Sequence, residues 1–206
     1  MENSSEPDIW AFEKKARNRG FSNIAGVDEA GRGPLAGPVV SAAVILPSSL
    51  PTLGITDSKK LTPQKRESLF HDISRHALAI GIGIVDPEEI DRINILQASL
   101  LSMKMSVDNL NPLPDCLLID GIFKISSDLP QEAIIKGDSL SISISAASII
   151  AKVTRDRLME KYHQQYPLFD FHKNKGYPTK THKETIRLHG CCPIHRKTFK
   201  GVREYL

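Results

Sequence analysis

The chain has 206 residues, of which 40% are hydrophobic and 25% charged, with a formal net charge of +3. That balance fits one globular domain with a short extension, and it excludes general disorder, collagen-like repeats and a coiled-coil rod. No apolar run approaches the ~18–20 residues of a membrane span, and the acidic, polar start Met1-Glu2-Asn3-Ser4-Ser5-Glu6 is not a secretory signal.

Residues 1–21 read as a polar lead-in, helical around Trp10 to Arg17. The first strand is expected at Ile24 to Asp28, followed by the glycine- and proline-rich turn Gly31 to Pro38 and a buried strand at Val39 to Leu46. Thr62-Pro63 starts a helix that runs to about Arg75, with Thr as the cap and Pro in the first helical position. Leu78 to Val85 alternates, with Ile80, Ile82 and Ile84 on one face and Gly81 and Gly83 on the other, where another backbone can come close. Asp86-Pro87-Glu88-Glu89 opens a helix with a capping box, and that helix is expected to extend towards Leu110.

Cys116 to Asp120 and Ala133 to Lys136 read as the fourth and fifth strands. A helix begins near Ser145, with Ala146, Ile149, Ile150 and Val153 on one face. After Tyr166-Pro167 the apolar signal weakens, and Thr179 to His189 is the main helical stretch. The expected architecture is therefore an α/β layer domain over 22–165, a mixed five-stranded sheet with helices on both faces, followed by a basic helical extension over 166–206. From Lys152 onward there are 13 Lys+Arg against 5 Asp+Glu, whereas residues 1–151 carry 14 and 19. A basic end beside an acidic body points to a polyanionic partner, with a solvated tail as the plain alternative.

Three cysteines, Cys116, Cys191 and Cys192, make no disulfide framework, and a reducing cytoplasm is the expected location. His189 and His195 flank the adjacent pair, but the spacing matches no standard structural zinc site. The acids are more informative. Asp28-Glu29, Asp120 and Asp138 each stand where an apolar strand ends. Taken singly, each is an ordinary turn or cap residue. If the strands are neighbours, the carboxylates converge and repel unless a cation holds them. A hard oxygen cluster suits Mg²⁺ or Mn²⁺, and two such ions ~3.5–4 Å apart form a phosphoryl-transfer device. The loop Asp57-Ser58-Lys59-Lys60 before a helix start favours an anion. The spacing of Gly31, Gly33 and Gly37 is not a dinucleotide fingerprint, and a strand follows where that fingerprint needs a helix.

Gly26-Val27-Asp28-Glu29-Ala30-Gly31-Arg32-Gly33-Pro34-Leu35-Ala36-Gly37-Pro38 closely resembles the opening motif of the ribonuclease HII family. Asp57-Ser58-Lys59-Lys60-Leu61, Ile119-Asp120-Gly121, Lys136-Gly137-Asp138, Ser145 to Asp156, Lys175-Gly176-Tyr177-Pro178-Thr179 and Pro193-Ile194-His195-Arg196 resemble its later blocks. The resemblance runs from about Ile24 to Phe199, and the Gly-Arg-Gly sequence favours this class over ribonuclease HIII.

The resemblance implies a ribonuclease H-like fold. It also implies endonucleolytic cleavage of RNA–DNA hybrids and of duplex DNA at embedded ribonucleotides, leaving 5′-phosphate and 3′-hydroxyl ends. Asp28, Glu29, Asp120 and Asp138 become the catalytic, metal-binding acids for Mn²⁺ or Mg²⁺. Gly31, Arg32, Gly33, Ser58, Lys59 and Tyr177 become substrate contacts. The protein is expected to act as a monomer, away from membranes. Lys152 and Arg155 are expected as solvated helix charges, with phosphate contact as the alternative, Asp156 as a helix-surface ion pair with its arginine neighbours, and His182 as a packing or solvated histidine, with substrate contact as the alternative because it lies near Tyr177. A hybrid-binding module without activity and a small-molecule phosphatase are the competing readings. Four carboxylates are of no use to a pure binder of a polyanion, and the basic end and Tyr177 favour a long substrate.

Overall fold

The computed structural model describes residues 8–50 and 61–206. The Asp57–Lys60 loop, with Ser58 and Lys59, lies outside the described residues. Five strands form one mixed sheet: β1 (Ile24–Ala30), β2 (Val39–Ile45), β3 (Ala79–Val85), β4 (Cys116–Asp120) and β5 (Gln131–Ile134). Their order is β3-β2-β1-β4-β5. The first three pair antiparallel, and β4 and β5 extend the sheet parallel to β1.

Helices cover both faces, as the strand composition requires. Val27, Ala43, Ile45, Leu117 and Ile119 point to one side and bury Met103 and Val107 of α4 (Ile95–Asp108). Ala42 and Val44 point to the other side, against Ile142, Ala146, Ile149 and Ile150 of α5 (Ile142–Gln165). The packing is close enough to demand glycine at the crossings. A Cβ on Gly26 would lie 2.1 Å from the Ser143 backbone of α5. Cβ atoms on Gly81 and Gly83 would lie 2.0 and 1.9 Å from the Ser106 and Ser102 carbonyl oxygens of α4. The glycine face of β3 is therefore the one that packs on α4, while Ile80 and Ile82 on its other face are partly buried against the opposite core.

Local signals placed most element ends. The Thr62 side chain accepts from the Lys65 amide at the start of α2 (Pro63–His76), and Asp86 accepts from the Glu89 amide at α3 (Pro87–Ile93). The Glu89 carboxylate does not return to close a capping box; Arg92 binds both its oxygens. The single helix expected from Asp86 towards Leu110 is two helices. Asn94 adopts φ 71°, ends α3, and caps α4 through Oδ1, which accepts from the Leu96 and Gln97 amides. With ψ at 163° this backbone is extended, not left-handed helical, and it is held by the local bonds of the Asn94 side chain to the two amides.

The fifth strand lies two residues earlier than expected, because Leu117 pairs with Gln131 and the chain has already turned at Lys136, φ 57°. Helix α5 begins at Ile142, not near Ser145, with Ser141 as its cap. Glu13 of α1 (Ala11–Asn18) is buried there, accepting from the Ser141 hydroxyl and the Ser143 amide. A carboxylate suits that position, since unpaired amides and the helix dipole both favour negative charge.

Beyond α5, the chain forms α6 (Phe171–Asn174) and α7 (Lys180–His189), the latter capped by Thr179. Phe169, Phe171, Ile186, Ile194 and Val202 bury Leu35, Ala36 and Met159. The segment after residue 166 is thereby fastened onto the glycine turn that follows β1.

Candidate active site

The sheet topology itself assembles the acids. Parallel strands β1 and β4 are neighbours, and their register ends with Val27 opposite Ile119. One step further along each strand stands an aspartate, Asp28 and Asp120. Asp28, Glu29 and Asp120 line one cavity of about 240 Å³, together with Gly31, Arg32, Gly33, Arg66, Ser148, Lys152, Arg155 and Tyr177. Three of the four predicted acids thus share a wall. Asp138 is buried just behind, in the 3-10 turn Gly137–Ser139, and does not line the cavity. It is linked to the others through its neighbour: the Gly137 amide donates to Asp120 Oδ1 at 2.7 Å.

The electrostatics are those of crowded, partly buried carboxylates. The Asp28 carboxyl is pushed well above the usual carboxylate range, first by burial, then by the charges of Glu29 and Asp120. Bonds from the Ser148 hydroxyl and the Glu29 amide oppose this. Carboxylates brought together out of water need positive charge, and hard oxygen donors of this kind fit Mg²⁺ or Mn²⁺. A separate group, His163, Asp170 and His172, has one ligand atom from each within 4.8 Å of the others. None of these three residues lines the acidic cavity.

Basic groups share the cavity with the acids. Glu29 pairs with Arg32 at 3.5 Å on the rim. Lys152 is not a solvated helix charge: it lines the cavity, and burial lowers its pKa. Asp156 does form an ion pair, but with Lys152 at 2.7 Å, not with its arginine neighbours. Ser148 and Arg66 were missed as cavity residues. The spacing of Ser145, Ser148, Lys152 and Arg155 on α5 is the signal that could have found Ser148 and placed Lys152, since it marks a polar stripe beside the apolar one.

Arg155 is the clearest departure from expectation, at 1% exposure. Its guanidinium donates to the carbonyls of Pro38 at 2.9 Å, Ala36 at 3.1 Å and Lys175 at 2.9 Å. Arg196, fully buried, donates to the carbonyls of Gly31 at 2.6 Å, Arg32 at 2.9 Å and Gly37 at 3.0 Å. Burial lowers Arg155 to about 10 and Arg196 to about 9, so both remain cations at neutral pH. Two planar forks thus hold the glycine turn by its carbonyls, a geometry lysine does not offer. The same contacts explain Gly31: its φ is +100°, and a Cβ would lie 2.1 Å from Arg155 Nε. Gly33 is different, because a Cβ there would meet only the Tyr177 ring, at 3.8 Å.

Tyr177 is 43% exposed and lines the same cavity as the acids. Its loop is tied to the glycine turn by the Leu35 amide, which donates to the Gly176 carbonyl at 2.8 Å. His182 takes the packing role of the two expected for it: it is buried and does not line the cavity. The Cys192 thiol lies 3.1 Å from His195 Nδ1, and burial raises it to about 11. Among the described residues, no helix is long and apolar enough to cross a membrane.

Comparison with known proteins gives the family of the chain. A ribonuclease HII of Geobacter sulfurreducens is 56% identical over 206 residues, covering 100% of this chain and 95% of that protein. The crystal structure of ribonuclease H2 from Pyrococcus horikoshii OT3 superposes with a TM-score of 0.75 at 31% identity, covering 89% of this chain and 97% of that one. Bst-RNase HIII in complex with Mn²⁺ shares the fold, with a TM-score of 0.69 at 21% identity over 89% of this chain and 68% of that one. The sequence pattern of ribonuclease HII matches residues 25–202, so the chain belongs to the ribonuclease HII family and is a ribonuclease H-type endonuclease.

Proposed function

We propose that the protein cleaves the RNA strand of RNA–DNA hybrids and incises duplex DNA at embedded ribonucleotides, leaving 5′-phosphate and 3′-hydroxyl ends. The observation that carries this is the placement of Asp28 and Asp120 one register step past Val27 and Ile119, in one cavity with Glu29 and the cations Arg32, Arg66 and Lys152. In this reading Asp28, Glu29, Asp120 and Asp138 hold two divalent ions, Mn²⁺ or Mg²⁺, when substrate is bound. Such ions lower the pKa of the attacking water and neutralise the charge that develops on the leaving oxygen.

The chain's own groups do the rest. Ser148 holds the Asp28 carboxylate in place by a hydrogen bond. Arg32, Arg66 and Lys152 offer cations to the scissile phosphate and its neighbours, and Ser58 and Lys59 add further phosphate contacts. The 2′-hydroxyl is the general handle that distinguishes RNA from DNA. The backbone of Gly31, Arg32 and Gly33 reads it. Gly33 leaves room for a sugar beside Tyr177, whose ring stacks on the following deoxyribose.

The test is Asp28→Asn with a duplex carrying one ribonucleotide, in Mg²⁺ and in Mn²⁺. Turnover should fall by at least ~10²-fold while the circular dichroism stays native, because an ion ligand is lost. Near-normal cleavage by the folded variant refutes the assignment.

A further inference from the structure

Behind Tyr177, away from the acids, lies a chain of hydrogen bonds that the reaction does not use directly. His182 Nδ1 is 2.8 Å from the Tyr177 carbonyl oxygen. His182 Nε2 is 3.0 Å from His195 Nε2. The Cys192 amide reaches His195 Nδ1 at 2.9 Å. Both imidazoles are 1% exposed and stand beside the rings of Phe169 and Phe171.

The partners dictate where the protons are. A carbonyl only accepts, so His182 Nδ1 carries a proton. The Cys192 amide only donates and is the shorter backbone contact of His195 Nδ1, at 2.9 Å against 3.3 Å for the Cys192 carbonyl, so Nδ1 is assigned as an acceptor and the proton placed on Nε2. His195 Nε2–H then donates to His182 Nε2, and every bond in the series has a donor and an acceptor with both rings neutral. Burial lowers the pKa of both rings, His195 to about 4, which favours the neutral forms.

The far end of the series is anchored to the other half of the site. His195 bridges Ala36, the Gly37 amide donates to the Ile194 carbonyl at 2.9 Å, and the adjacent Arg196 holds the Gly31 and Arg32 carbonyls. One short turn, Cys192 to Arg196, therefore grips the glycine turn on one side and the Tyr177 backbone on the other. We infer that His182 and His195 are positioning residues: a neutral two-histidine strut that fixes Tyr177 at a set distance from Gly31–Gly33 and so sets discrimination for the single ribonucleotide. The inference rests on the reading of Tyr177 as a sugar contact. The Thr179 amide also donates to the Tyr177 carbonyl, at 2.8 Å, so loss of the strut loosens that loop without stripping its carbonyl of all partners.

Two measurements test this. Long-range ¹H–¹⁵N correlation spectra at neutral pH should show His182 protonated at Nδ1 only and His195 at Nε2 only. The opposite tautomers, or a doubly protonated His182, overturn the strut. In the second, His195→Leu, His195→Gln and Tyr177→Ala are compared with wild type by kcat/KM on a single embedded ribonucleotide and on a long hybrid. His195→Leu removes the donor to His182 Nε2 without touching substrate. It should lower the ratio of the two rates roughly tenfold, about the cost of one buried unpaired acceptor. His195→Gln restores an N–H near Nε2 and should recover most of the ratio, which a merely packing role would not do. A selective loss in Tyr177→Ala with none in folded His195→Leu defeats the strut and leaves the Tyr177 reading standing. Equal losses on both substrates in Tyr177→Ala defeat the Tyr177 reading and the strut's function with it.

Discussion

Replacing Arg155 by Met tests how the glycine turn is held. The substitution keeps much of the aliphatic volume and removes the guanidinium. Three carbonyls, those of Pro38, Ala36 and Lys175, lose a donor in a site with 1% exposure. Hydrogen bonds to charged groups contribute about 1.5–3 kcal/mol each, so the gross loss is roughly 5–9 kcal/mol. Opposing it, the cost of keeping a cation out of water, several kcal/mol, is no longer incurred. A net destabilisation of about 3 kcal/mol results, and for a chain of this size that corresponds to ~6–12 °C in Tm. Arg155→Lys should rescue little, because an ammonium cannot span three carbonyls in a planar fork. Calorimetry in the presence of Mn²⁺ measures the shift, and urea unfolding gives the free energy independently. A loss below about 1 kcal/mol, in a range typical of surface substitutions, would refute the claim that Arg155 holds the turn.

Two further outcomes follow from the titrating groups. The folded-state pKa of Asp28 is raised, so the stability it contributes is present at low pH and is lost as pH rises through the folded value. Asp28→Asn should therefore raise the Tm of the protein in EDTA at pH 7–8, by ~2 °C or more, and Mn²⁺ should stabilise wild type more than the variant; calorimetry showing a lower Tm for the metal-free variant counts against the carboxylate cluster. His195 behaves oppositely. Its folded value is depressed to about 4, so its contribution is full above the unfolded value of ~6.5 and is lost as pH falls towards 4, on the order of 3 kcal/mol. Urea midpoints between pH 7 and 4 should fall less steeply in His195→Gln than in wild type, and parallel curves would mean that His195 is not buried as a neutral ring.

The sequence alone was enough to place strands and helices, because period-2 and period-3.6 apolar patterns report which faces are buried. Val39 to Ile45 and the α5 stripe lie where those patterns put them, and Thr62 and Asp86 cap the helices whose start signals they carry. The family blocks named the acids. The helix break at Asn94 and the shift of β5 were decided elsewhere, by a positive backbone φ and by pairing with β4. Neither leaves a periodic signal in the chain.

The arginines show the limit best. Read along α5, Arg155 is one more charge between Thr154 and Asp156, and a helix charge is ordinarily solvated. Its burial depends on Ala36, Pro38 and Lys175, residues 119, 117 and 20 positions away. Arg196 reaches Gly31 across 165 positions, and His182 meets His195 only because α7 folds back on the turn after it. Local propensity and composition act over a few residues. Whether a polar group is exposed, paired or buried depends on what the rest of the chain brings beside it. That is why most elements, and acids standing at strand ends, were legible from sequence, while the buried contacts of Arg155, Arg196, His182 and His195 emerged only from the tertiary structure.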